Sequence, residues 1–161
     1  FEIETSKAIG IQLIRHRSFS FQEFSQRYQD VNHMGDMFEP IELRSQCEDN
    51  RQSSVEIINP SIKVEGGYIP AQDMVGGFLN QAHKLYNQLL EAGVARETAR
   101  MVLPLATTTK IHMTGSIRSW IHFLELRDDE HAQKEIQTVA KAIKRIFISE
   151  FPIISKGLNY E

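Results

Sequence analysis

The chain predicts a helix-rich α+β domain packed on a small sheet, and three observations lead there. Phe1-Glu2-Ile3-Glu4-Thr5 alternates apolar and polar residues as a half-buried strand does. The second half carries successive segments with apolar residues at helical spacing. Between the two, residues 29–70 hold no sustained period and are broken by Asn59-Pro60 and Gly66-Gly67.

A strand needs partners, and the only other stretch that reads as one is Val55 to Ile58. The opening strand, with no initiator methionine before it, suggests a chain cut at its start and a sheet missing its N-terminal part. Ser6 is a candidate N-cap for a helix running to about Arg17. Ala8, Ile9, Ile11, Leu13 and Ile14 make that helix apolar nearly all round, as a buried helix would be. On it, Gln12, Arg15 and His16 fall on one face. Residues 29–70 read as a surface excursion with at most a short strand or helix.

Phe78, Ala82, Leu85 and Leu89 mark one face of the next helix, which Gly93 can terminate. A shorter helix follows over about Arg96 to Leu103 and stops at Pro104. Thr107-Thr108-Thr109 and Thr114-Gly115-Ser116 read as a polar run before a helix from about Ile117 to Leu126. A last long helix carries Ala132, Ile136, Val139, Ala140, Ile143, Ile146 and Phe147 and ends before Pro152. The 161 residues suffice for one domain, 1–161, and no internal period suggests a repeat array.

Composition narrows the function. An apolar fraction of 41% and a charged fraction of 24% are ordinary for a soluble protein. No apolar run approaches the length of a membrane span. The single cysteine, Cys47, cannot form an intrachain disulfide and suits the cytoplasm. A net charge of -3 argues against a general nucleic-acid binder. Yet Arg15, Arg17 and Arg27 cluster in one segment, and Arg100, Arg118 and Arg127 in another. Arginine is suited to bidentate contacts with phosphate, so the clusters point to a confined anionic ligand.

The densest segment runs Arg15-His16-Arg17-Ser18-Phe19-Ser20-Phe21-Gln22-Glu23-Phe24-Ser25-Gln26-Arg27-Tyr28. A solvated turn is the plain reading. The interleaving of aromatics with arginines after a buried helix favours a pocket for a phosphorylated, planar ligand.

An Arg-His-Arg triplet followed by Ser-x-Arg-Tyr resembles the hallmark of flavin-dependent thymidylate synthases. The resemblance extends to Gln12, to Ala99-Arg100-Met101-Val102-Leu103-Pro104, and to the stretch from Thr114 through Arg127. It continues through His131-Ala132-Gln133 to Glu135-Ile136. It implies reductive methylation of dUMP to dTMP, with FAD as cofactor and NADPH and methylenetetrahydrofolate as co-substrates. It implies no enzyme nucleophile. It also implies a homotetramer with shared active sites.

By position, the resemblance places Gln12, Arg15, Glu23, Ser25, Gln26 (through its backbone), Arg27, Arg100 and Arg127 on dUMP. Arg127 is the catalytic position, contacting the uracil and favouring its ionised form. Arg15, His16, Arg17, Ser18, Glu23, Ser116, Arg118 and His122 match flavin positions, Ser116 replacing an asparagine found in some members. Family members also carry, upstream of the matched stretch, a His and a nearby Glu or Ser/Thr on folate and flavin. The rival reading is a nucleotide-binding module without catalysis.

Other candidates read as structural. Ser25 has no Gly-x-Ser-x-Gly elbow around it. Cys47 sits in a polar loop with nothing to activate a thiol. His112, His122 and His131 match no metal-ligand spacing. His33, His83 and His112 read as satisfied or surface histidines, and Trp120, Phe123 and Leu124 as a core stripe. His131 stays open between a helix N-terminal residue, an interface group and a ligand contact.

Overall fold

The computed structural model describes residues 1–27, 36–50 and 53–160. Along the chain, strand β1 (Glu2–Ser6) leads directly into helix α1 (Lys7–Leu13) and then strand β2 (Phe19–Glu23). Four short strands follow: β3 (Arg44–Gln46), β4 (Ser54–Ile57), β5 (Ser61–Val64) and β6 (Gly67–Pro70). Helix α2 (Ala71–Glu91) and the short α3 (Arg96–Ala99) precede a 3-10 turn at Arg100–Val102. Strand β7 (Thr108–Gly115) and helices α4 (Ile117–Arg127), α5 (Lys134–Glu150) and α6 (Pro152–Gly157) complete the α+β domain.

The partner that β1 needs is β7. That strand is central in an antiparallel sheet of order β1-β7-β2, with Ile3 opposite Ile111 and Phe21 opposite Met113. Strand alternation turns Thr109, Ile111 and Met113 inward, while His112 and Thr114 face out. The inner face meets Ile9 and Leu13 of α1, Trp120, Phe123 and Leu124 of α4, and Ile136, Ala140, Ile143 and Phe147 of α5 in one buried cluster. Each such large side chain contributes roughly 1.5–3 kcal/mol on burial. The outer face is polar, with Lys110 Nζ bridging Glu2 and Glu4 at 3.0 and 2.7 Å.

Several expectations are corrected. The polar run at Thr107–Thr109 opens the central strand, and Phe19–Glu23 is a strand as well. Residues 36–50 and 53–70 hold two hairpins, β3–β4 and β5–β6, rather than at most one short element. The first helix stops at Leu13 instead of Arg17, because the chain tightens so that His16 N–H bonds the Leu13 carbonyl at 3.1 Å. That leaves Arg15 and His16 in the turn, beyond the helix face expected for them with Gln12. Ile11 and Ile14 are exposed, so one stripe of α1 is buried and not its whole circumference.

Ser6 occupies the N-cap position without a side-chain cap. The first helical amides bond main-chain carbonyls instead, Lys7 to Thr107 at 2.9 Å and Ala8 to Leu105 at 3.0 Å. Helix α2 buries Ala71, Ala82 and Tyr86, leaving Phe78 and Leu85 of the expected face exposed. It ends at Gly93 as expected. At φ +83°, Gly93 N–H meets the Leu90 carbonyl and Val94 N–H the Leu89 carbonyl, the paired bonds of a Schellman end. Tyr28 and His33 lie outside the described residues.

Candidate functional site

His16 is the only member of the Arg-His-Arg triplet that turns into the core, and it is 8% exposed. Its ring packs edge-on against Phe123 at 5.0 Å and Phe19 at 6.3 Å between ring centres. From the last residue of α4, Arg127 donates its Nε–H to His16 Nε2 at 2.9 Å. Accepting there requires a neutral ring with its proton on Nδ1. Burial, the Arg127 charge and then His122 lower the His16 pKa from 6.5 to about 4, so the ring is neutral at physiological pH.

No carboxylate among the described residues pairs with Arg127, and burial lowers the pKa of its guanidinium. A partly buried cation held by a neutral partner keeps its positive charge for a ligand.

Around this pair, the 14–18 turn and the start of α4 come together. Ser116 caps α4 by accepting Ser119 N–H at 3.2 Å, and Ser119 Oγ–H donates to the Ser18 carbonyl at 3.3 Å. Arg15, Arg17 and Arg118 are exposed, and their guanidinium groups make no hydrogen bond or ion pair to other described residues. Three such guanidinium groups beside a helix start form a donor set suited to a phosphate-bearing ligand.

Glu23 lies at the far end of β2. Its Oε1 accepts from Lys7 Nζ at 2.8 Å and Thr109 Oγ1 at 2.9 Å, which fixes the carboxylate on the sheet. Gln12 donates its amide to Gln133 Oε1 at 2.6 Å, next to the start of α5. Gln133 also lines a polar cleft of about 560 Å³ between the β3–β4 hairpin and α5. Beyond β2, Ser25 is half-buried, and Gln26 is buried with its Nε2 unpartnered. Arg27 approaches Glu97 at 3.5 Å, while Arg100 Nε–H reaches the Glu97 carbonyl at 3.4 Å.

The sequence-derived residues therefore fall into groups. His16, Ser18, Ser116 and Arg127 are joined through the turn and α4, with His122 close enough to act on the His16 charge. Arg27 and Arg100 meet at Glu97. Lys7, Thr109, Ser119 and Gln133 hold candidate site residues, a role the sequence does not mark because each meets its partner only through the fold. Trp120, Phe123 and Leu124 are core. His112 is exposed beside Glu2, His83 is half-buried against Phe38, and His131 is exposed near Glu130.

The model of the family described as thymidylate synthase complementing protein matches residues 1–153. The chain belongs to that family. A relative from Paramecium bursaria Chlorella virus 1, named a probable flavin-dependent thymidylate synthase, is 43% identical over 159 residues. The flavin-dependent thymidylate synthase of Synechocystis sp. is 42% identical over 159 residues. Each alignment takes in 99% of this chain and 70% of the relative. A third relative of that name, from Thermosipho africanus, is 34% identical over 94% of this chain and 64% of its own length. Among the described residues, no helix is long and apolar enough to cross a membrane.

Proposed function

We propose that this chain acts as a flavin-dependent thymidylate synthase and converts dUMP to dTMP. In the net reaction, dUMP, methylenetetrahydrofolate, NADPH and a proton give dTMP, tetrahydrofolate and NADP⁺. The observation that carries this reading is the Arg127–His16 pair, a partly buried, uncompensated cation in a chain of this family.

FAD would be held by Arg15, His16, Arg17, Ser18, Glu23, Ser116, Arg118 and His122, and when reduced it supplies the reducing equivalents. Gln12, Arg15, Glu23, Ser25, Gln26, Arg27 and Arg100 hold the nucleotide with Arg127. Arg27 and Arg100 supply charge for the phosphate. Arg127 faces the uracil, where negative charge builds as the ring is activated, and a preorganised cation there lowers the barrier. Cys47 lies at the end of β3, its N–H bonded to the Ser53 carbonyl, in none of the residue groups above. The mechanism therefore needs no covalent cysteine.

The chain would act as a homotetramer in which copies complete one another's sites. Exposed apolar residues follow Arg100, with Met101 at 79% and Leu105 at 60% exposure, as a surface buried by another copy would present. A cytoplasmic enzyme suits these soluble substrates.

The test is an absorbance scan and cofactor extraction of the purified protein, followed by a dUMP methylation assay. Bound FAD with dTMP formation is expected. Nucleotide binding by a protein that takes up no flavin would support a non-catalytic nucleotide module instead.

A further inference from the structure

We infer that His16 is a positioning residue for Arg127, orienting the guanidinium without neutralising it. The inference rests on the reading of Arg127 as a nucleotide-site residue. Arg127 ends α4, and a free arginine there would lose much side-chain freedom on meeting a ligand. His16 removes part of that loss in advance by accepting the Nε–H at 2.9 Å. The guanidinium carries five N–H donors in a fixed plane. With Nε–H engaged, the four donors on Nη1 and Nη2 remain as the edge presented to a ligand.

The identity of the acceptor matters. A carboxylate could hold the same Nε–H, but it would cancel the charge that the substrate is to meet. A neutral imidazole fixes the plane and leaves the charge. The His16 ring is itself immobilised by Phe19 and Phe123 and by main-chain bonds at both sides, to Leu13 and from Phe19. With 8% of its surface exposed, its contact with the flavin is confined to a small edge, and the rest of the ring serves Arg127.

The experiment uses the flavin-loaded enzyme and three variants, His16→Leu, His16→Gln and Arg127→Ala, with the His16→Leu/Arg127→Ala double variant. The dissociation constant for dUMP and turnover at saturating dUMP are measured, with circular dichroism confirming the fold. His16→Leu is expected to weaken dUMP about tenfold and to lower turnover, the scale of one hydrogen bond to a charged group. His16→Gln, which places a polar atom near the former Nε2, should recover most of both. In the Arg127→Ala background, His16→Leu should add nothing.

An undiminished His16→Leu effect in that background, or no effect in the single variant, overturns the inference while leaving the nucleotide site standing. If Arg127→Ala itself leaves dUMP affinity and turnover unchanged, the site reading falls and this inference with it. Should His16→Leu not fold, nitrogen NMR of the histidines in the unaltered holoenzyme decides. A His16 ring protonated on Nδ1 and bare on Nε2 is expected, and the opposite tautomer overturns the proposal.

Discussion

Gly115 and Phe19 face each other across β7 and β2, and a methyl group on Gly115 would sit 2.4 Å from the Phe19 ring. The missing side chain is what lets Phe19 lie against Trp120, with ring centres 4.6 Å apart. Immediately after this contact, β7 gives way to Ser116 and α4, so the packing sets where the α4 site residues begin.

Gly115→Ala should therefore destabilise the fold by steric overpacking, by about 1–3 kcal/mol. Urea unfolding of both proteins measures it. A midpoint and slope equal to the parent's would show that the Phe19 ring can move aside at no cost.

The pH dependence of stability should carry a signature of His16. Its folded pKa, about 4, lies below the ordinary 6.5, so the unfolded chain takes up a proton that the folded chain refuses between those values. The stabilising contribution is complete above the unfolded pKa and is lost as pH falls toward the folded one. Denaturation at about pH 7.5 and about pH 5 should show a smaller drop for His16→Gln than for the parent. Equal drops would mean that His16 titrates normally in the folded protein.

Much of the fold was legible because helices declare themselves locally. Ile136, Ala140, Ile143 and Phe147 recur at helical spacing, and all four are buried in the core. The central strand was not legible because its threonines counted as polar, although Thr109, Ile111 and Met113 alternate inward as a strand requires. The arginine-rich segment suggests an anion site through residue type alone. Its supports do not, since the Gln12–Gln133 bond joins residues 121 apart and Arg127 meets His16 across 111. No local pattern encodes such pairs.

Cys47→Ala should leave dTMP formation within about twofold of the parent, as expected for a side chain outside the reacting groups. The assay uses FAD, NADPH, dUMP and methylenetetrahydrofolate. A loss of several orders of magnitude with the fold intact would establish a cysteine nucleophile.

Arg27 and Arg127 should fail differently when truncated. Arg27 is exposed beside Glu97 and Arg100, a setting for holding a phosphate in ground state and transition state alike. Interactions of that kind raise KM when lost and leave kcat. Arg127 is half-buried and held in one plane by His16, a setting for charge that appears only as the uracil is activated. Losing a preorganised group of that kind costs about a hundredfold or more in kcat. Arg27→Ala should accordingly raise KM for dUMP by about tenfold with turnover nearly unchanged, while Arg127→Ala depresses turnover even at saturating dUMP. Steady-state kinetics on both variants, with circular dichroism as the folding control, separates the two. If Arg127→Ala turns over normally once dUMP is saturating, Arg127 is a second anchor and the activation of the uracil must come from another group.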